Sequence, residues 1–216
     1  MIGTLINVFL RLFEVSTPDI FGIFALPASF IGFIHQPWSL FTYMFMHAGI
    51  LHILFNMLWL YWFGSLFLYF FSAKHLRGLY VLGGICGGLL YMVAFNVFPL
   101  FRSQVAGATL VGASASVLAI VAATAYREPD YRVQLFLFGA IRLKYLALVV
   151  IGIDVLSITS SNAGGHIAHL GGALAGLWFA ASLSKGTDLT SWINWILDGF
   201  TSLFQKKTWK RKPKMK

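Results

Sequence analysis

Four polar side chains within apolar stretches of the sequence are of the types that hydrolyse peptide bonds. Ser114 lies in Val-Gly-Ala-Ser-Ala-Ser-Val, and His169 lies in Gly-Gly-His-Ile-Ala-His-Leu-Gly-Gly. A serine hydroxyl becomes a nucleophile when a base takes its proton, and histidine is the commonest base. His52 and Asn56 are four residues apart, so both project from one helix face and can donate hydrogen bonds to an oxyanion. The pattern predicts acyl transfer with Ser114 as nucleophile and His169 as general base.

A carboxylate is not expected beside this histidine. Asp154 lies about ten residues into its own apolar stretch, so we expect it nearer the far side of the membrane than His169. The sequence therefore predicts a Ser-His dyad and not a full Ser-His-Asp triad. Gly172 and Gly176 form a Gly-x-x-x-Gly pattern after the histidine, and small residues of this kind let helix backbones pack closely in lipid.

The composition indicates a membrane protein. The 216 residues are 58% hydrophobic and only 11% charged, and the mean hydropathy is +0.78. A soluble domain is about a quarter charged, so a soluble enzyme is excluded. Seven Lys and Arg residues in 206–216 supply most of the net charge of +9. A basic tail of this kind predicts contact with anionic lipid and not with nucleic acid.

Six membrane-spanning helices are predicted, which gives an all-α polytopic helical bundle. Five apolar stretches are long enough or nearly so: Gly49–Phe71, Leu76–Phe98, Gly107–Tyr126, Leu143–Ser160 and Gly165–Leu183. A first candidate, residues 2–15, contains Arg11 and Glu14 and is short, which favours a chain that starts inside its first helix. The division predicted is a membrane domain over residues 1–185, an interfacial amphipathic helix over 186–204 and a basic cytoplasmic tail over 205–216.

The basic residues predict the orientation of these spans. Fourteen Lys and Arg follow the second, fourth and sixth spans, whereas Arg102 alone follows the third, so both termini are expected in the cytoplasm. The second, fourth and sixth spans then all start on the outer side, and their polar residues lie in the first turns. We therefore expect one site near the outer surface. The connection Pro18–Phe41 is apolar and is expected to lie at the membrane interface or to dip into the membrane.

Three motifs, in this order, resemble those of the rhomboid intramembrane serine proteases. They are His47-x4-His52-x3-Asn56 for His-x4-His-x3-Asn, Gly112-Ala-Ser114-Ala for Gly-x-Ser-Gly, and Ala168-His169-Leu-Gly-Gly for Ala-His-x-x-Gly. The resemblance covers nearly the whole chain and implies a rhomboid-like bundle of six transmembrane helices. Two positions depart from the family pattern, because Ala115 replaces the usual Gly and Ser39 replaces a common Arg. We expect the extra methyl of Ala115 to narrow the cavity beside the nucleophile.

The resemblance implies a function and a role for each site residue. Ser114 would be the nucleophile, His169 the base, His52 and Asn56 the oxyanion donors, and His47 a structural residue of the first loop. The substrates would be transmembrane proteins cut near the membrane boundary, without metal or cofactor. The small size of the chain suggests a bacterial plasma membrane.

Three other functions fit parts of the sequence. A catalytically silent rhomboid-like pseudoprotease would keep the fold and bind transmembrane clients without cutting them. His166 and His169 are three residues apart and suit zinc, but no His-Glu-x-x-His pattern is present. A proton-coupled transporter would use an acid such as Asp154 within the membrane, yet the sequence shows no inverted repeat.

Overall fold

The computed structural model describes residues 20–135 and 139–204. This part of the chain is mostly helical, with short strands in two pairs. The helices are α1 (Ile20–Phe24), α2 (Phe30–His35), α3 (Ser39–Thr42), α4 (Ile50–Phe67), α5 (Ala73–Val97), α6 (Ser114–Arg127), α7 (Leu143–Leu156), α8 (Ala163–Leu183) and α9 (Ser191–Phe204). The antiparallel pairs are β1 (Leu26–Pro27) with β2 (Thr109–Leu110), and β3 (Arg132–Leu135) with β4 (Gly139–Arg142). The predicted first span and basic tail lie outside the described residues.

Three helices of the described chain, α4, α5 and α8, are long and apolar enough to cross a membrane. The predicted polytopic helical bundle is confirmed at this level, whereas the count of six spans stays a prediction. Helix α6 is apolar but has only 14 residues. The prediction that it starts at Gly107 is wrong, since Gly112 adopts a φ of +129°, which an α-helix does not contain. The helix therefore starts at Ser114.

Helix α6 lies at the centre of the bundle and packs against both α5 and α8. Each of its residues 115–125 is buried. The contact with α8 is made by backbone, because a Cβ atom added to Gly172 would lie 2.0 Å from the carbonyl oxygen of Ala115. One added to Gly176 would lie 2.1 Å from that of Ala119. Hydrophobic burial does not drive helices together in lipid, so such close packing has to hold the bundle.

The segment before α4 is folded by side chains that bind backbone carbonyl groups. The Gln36 amide donates to the carbonyl of Ala25 at 3.0 Å, and the Trp38 indole N–H donates to that of Ile23 at 2.9 Å. The predicted connection Pro18–Phe41 therefore contains short helices. Ile31 and Ile34 are exposed on its surface, and its place at the membrane interface stays a prediction.

Helix α9 packs at the start of α5. The Arg77 guanidinium donates to the side-chain oxygen of Asn194 at 2.7 Å and forms an ion pair with Asp198. The opposite face of α9 leaves Trp195 and Leu203 exposed. The helix starts at Ser191 and not at the predicted residue 186, because the Asp188 carboxylate accepts the Thr190 N–H and forms a turn there.

We predict that Gly172→Ala strongly destabilises the bundle, since its methyl would meet the Ala115 carbonyl and force α6 away from α8. Overpacking of this kind costs about 1–3 kcal/mol or more. Thermal unfolding of the protein in detergent micelles measures the loss. Gly152→Ala in α7 is the matched control, because a Cβ atom there meets nothing within 4 Å. Equal unfolding temperatures for the two variants would contradict the prediction.

Candidate active site

Ser114 is the first residue of α6, and the backbone before it is fixed. The Gly112 N–H donates to the Tyr43 carbonyl oxygen at 2.9 Å, which ties this turn to the segment before α4. No side chain in the described residues caps α6. The first N–H groups of a helix have no acceptor within it and lie at the positive end of its dipole. The Ser114 hydroxyl is therefore placed beside backbone donors that suit a developing negative charge.

His169 reaches Ser114 across the contact between α6 and α8. Its Nε2 atom lies 2.7 Å from the Ser114 Oγ atom, which is hydrogen-bond distance. His169 lies on the second turn of α8, three residues before Gly172. The backbone packing of Gly172 on Ala115 therefore brings this imidazole to the start of α6. The structure brings together the two residues predicted to be nucleophile and base.

Asp154 lies beside the imidazole, and the prediction that no carboxylate shares the depth of the site is wrong. Its Oδ1 atom is 2.8 Å from the Nδ1 atom of His169, and the residue is 3% exposed. The error came from the end of α7. This helix ends at Leu156, not at Ser160, so Asp154 is two residues from the end that faces the start of α8.

The carboxylate determines which nitrogen of His169 carries the proton. An ionised carboxylate oxygen only accepts hydrogen bonds, so Nδ1 of His169 must donate to Asp154. In the neutral ring the other nitrogen is then an acceptor. This assignment follows from the hydrogen-bond network. The Ser114 hydroxyl therefore donates to Nε2, as general base catalysis requires.

His166 shares the same carboxylate oxygen. Its Nδ1 atom lies 2.7 Å from Oδ1 of Asp154, one helical turn before His169. The three side chains offer ligand atoms within 4.8 Å of one another, and such atoms also suit zinc. Two ligands of a tetrahedral zinc ion lie about 3.3 Å apart at normal bond lengths. The shorter distances here match N–H donation to the carboxylate.

His52 presents an N–H group toward the nucleophile. The Ala48 N–H donates to its Nδ1 atom at 3.3 Å, so the neutral ring carries its proton on Nε2. That atom packs on the backbone of Gly112, because a Cβ atom added there would lie 2.9 Å from Nε2 of His52 and 3.6 Å from Oγ of Ser114. A side chain at position 112 would therefore separate this donor from the serine.

Asn56 lies one turn after His52 and lines a cavity beside Ser114. It is 7% exposed, and its Nδ2 atom donates to the His52 carbonyl oxygen at 2.8 Å. An amide nitrogen has two N–H groups, so the second remains to bind a negative oxygen in the cavity. His52 and Asn56 thus lie on one face of α4, which is the face toward Ser114.

The cavity at Ser114 is small and mostly apolar. Its volume is about 200 Å³, and it is lined by Phe55, Asn56, Trp59, Ser114, Val117, Leu118, Val150 and His169. Ala115 is not a lining residue. It is 2% exposed, and a Cβ atom added to Gly87 of α5 would lie 2.6 Å from its methyl carbon. The expectation that Ala115 narrows the cavity is therefore wrong, because its methyl group faces α5.

A model of the Rhomboid domain matches residues 34–186, which include all three motifs and every residue of the site. The chain belongs to the rhomboid family. RHOMBOID-like protein 12, mitochondrial, from Arabidopsis thaliana is 31% identical over 157 residues, 68% of this chain and 47% of that protein. The chain thus spans about half the length of this curated relative. The resemblance seen in the sequence is confirmed, whereas the catalytic roles of the site residues stay predictions.

His47 supports His52 from the loop before α4 of this rhomboid. It is 3% exposed, and the two rings meet edge to face with centroids 5.1 Å apart. Burial, and next the charge of a protonated His52, lower the pKa of His47 from 6.5 to about 4. His47 is therefore neutral at neutral pH and packs as an aromatic ring.

We predict that His47 makes the protein less stable in weak acid. The unfolded chain takes up a proton at His47 near pH 6.5, but the folded chain does so only near pH 4. The free energy of unfolding therefore falls as the pH drops from 6.5 toward 4, by up to about 1 kcal/mol per pH unit. His47→Phe keeps the ring and cannot titrate, so its unfolding temperature should depend less on pH in this range. Parallel pH dependences would show that His47 does not contribute.

Proposed function

We propose that this rhomboid is an active intramembrane serine endopeptidase that cleaves transmembrane protein substrates near the outer membrane boundary. The observation that carries the proposal is the 2.7 Å contact between Ser114 Oγ and His169 Nε2. The direction of this hydrogen bond also suits catalysis. The Asp154 carboxylate accepts the Nδ1 proton of His169, which leaves Nε2 of that ring as the acceptor for the serine hydroxyl. A pseudoprotease that only binds clients has no need of this contact.

The mechanism starts with a substrate helix that unwinds beside the cavity. The Ser114 oxygen attacks the scissile carbonyl carbon while Nε2 of His169 takes the hydroxyl proton. The resulting imidazolium then gives this proton to the leaving amine, and the peptide C–N bond breaks. A water molecule, activated by the same nitrogen, hydrolyses the acyl-enzyme and restores the serine.

The oxyanion formed by this attack would be bound by donors from two helices. His52 Nε2–H and the second amide N–H of Asn56 come from α4, and the Ser114 backbone N–H comes from α6. The two donors of α4 are fixed before the reaction by the hydrogen bonds of His52 to the Ala48 N–H and of Asn56 to the His52 carbonyl. Donors that need no rearrangement stabilise the transition state most effectively.

The walls of the cavity support a substrate with apolar groups beside the scissile bond. Aromatic and aliphatic side chains of α4, α6 and α7 surround the polar atoms of the site, so the groups that fit beside the scissile bond are apolar.

We propose that the protein crosses the membrane six times, with both termini in the cytoplasm of a bacterium and lipid as its solvent. The interfacial helix over 186–204 and the basic tail over 205–216 would then contact the inner leaflet. No cofactor is part of the proposal.

Cleavage of a model transmembrane substrate in proteoliposomes tests the proposal. The wild-type protein should cut it in the presence of EDTA, and Ser114→Ala and His169→Ala should abolish cutting, because each removes a reacting group. Labelling by a fluorophosphonate should likewise need Ser114. Asp130→Asn, in the exposed turn between α6 and β3, is the control. Folded wild-type protein that binds substrate but neither cuts it nor reacts with the fluorophosphonate would identify a pseudoprotease.

We predict that Asn56→Ala retains measurable activity, whereas Ser114→Ala does not. Loss of one oxyanion donor commonly lowers the rate by about 10²–10³-fold, and two of the proposed donors remain. The initial rates of cleavage in proteoliposomes measure the difference. An equal and complete loss for both variants would indicate that Asn56 holds the structure through its bond to His52.

A further inference from the structure

Asp154 and its two histidine neighbours form a buried charged group that a Ser-His dyad does not require. The carboxylate belongs to α7 and both rings belong to α8, so the group joins two helices. Its Oδ1 atom lies 2.7 Å from Nδ1 of His166 and 2.8 Å from Nδ1 of His169. A buried acid in a membrane protein is costly and therefore points to a function.

We infer that Asp154 is a positioning residue that completes a Ser114–His169–Asp154 triad, with His166 as a second support for the carboxylate. The inference rests on the proposed protease function. Asp154 touches no substrate; it acts through His169, whose ring it holds in the orientation and tautomer that accept the serine proton. During attack the carboxylate also stabilises the imidazolium.

The orientation of the carboxylate explains the role of His166. The Oδ2 atom of Asp154 is buried and has no hydrogen-bond partner in the described residues. All the hydrogen bonds found for this carboxylate therefore converge on Oδ1 and come from the two rings. Without His166, only the bond to His169 would hold the carboxylate. With it, two donors one helical turn apart fix the plane of the group, and so the position of the catalytic ring.

The short connection between α7 and α8 produces this arrangement. Helix α7 ends at Leu156 and α8 begins at Ala163, so the last turn of one lies beside the first turns of the other. Asp154 is in that last turn, and His166 and His169 are in those first two. The triad is thus built from a helical hairpin that meets α6 at Ser114.

The tautomer of His169 can be measured without any activity. Ser114→Ala protein is selectively labelled with ¹⁵N-histidine and studied in lipid bilayers. The ¹⁵N chemical shifts then distinguish ring nitrogens that carry a proton from those that do not. We expect His169 to carry its proton on Nδ1 in this variant, and its signals are identified by their absence from Ser114→Ala/His169→Gln. A proton on Nε2 with a bare Nδ1 would overturn the inference. This result needs no substitution at Asp154.

The rates of cleavage supply the second test. Asp154→Asn removes the charge and presents an amide to the rings, so we expect a fall of about 10²–10⁴-fold. In Ser114→Ala/Asp154→Asn protein, the His169 proton should move from Nδ1 toward Nε2, or the Nδ1–H hydrogen bond should weaken. The chemical shift of that proton reports the strength of the hydrogen bond. His166→Ala leaves the bond to His169, so its rate should fall by about tenfold or less. Asp130→Asn, which alters only exposed ion pairs, should keep the wild-type rate.

The outcomes separate this inference from the proposed function. If Asp154→Asn cleaves at the wild-type rate and the His169 tautomer is unchanged, the triad is contradicted. The proposed protease function would not be affected by that result. Absence of wild-type cleavage would overturn the protease, while the tautomer measurement would still decide whether Asp154 orients His169. If Asp154→Asn fails to fold, the tautomer of His169 in Ser114→Ala protein decides whether Asp154 orients that ring.

Discussion

Helices α6 and α8 touch backbone to backbone, because Gly172 and Gly176 place no side chain against the carbonyl oxygens of Ala115 and Ala119. This contact determines the distance between Ser114 and His169, since each residue lies within three positions of the contact. A hydroxyl and an imidazole on separate helices form a hydrogen bond only when the helix axes come very close. In lipid, where apolar surface gains little by association, such shape complementarity is what holds helices together.

The polar groups of the site depend on one another in the same way. Ala48 fixes the ring of His52, His52 accepts the amide of Asn56 at its carbonyl, and Asp154 fixes the ring of His169. Each of these four side chains thus has at least one hydrogen bond within the protein, which offsets part of the cost of burial. These bonds also select one tautomer for each ring, so the chemistry of the site is determined by the fold.

Much of this site could be predicted from the sequence, and the exceptions have physical causes. Hydropathy located α4, α5 and α8 to within a few residues, and the spacing of His52 and Asn56 placed both on one face. The depth of Asp154 could not be derived, because α7 ends at Leu156 although residues 157–160 contain no Gly, Pro or charged residue to mark that end. The direction of the Ala115 methyl depends on Gly87 in another helix, and no pattern within α6 contains that information.

The shortness of α6 has a consequence for solvent. Fourteen residues extend about 21 Å, whereas the hydrocarbon core is about 30 Å thick. The chain just before Ser114 is not helical and includes the short strand β2 and the turn at Gly112. Irregular backbone at membrane depth has to be covered by protein or wetted. In the proposed topology, a helix that stops below the outer surface would open a hydrated recess above its first residue, and the proposed hydrolysis would draw its water from there.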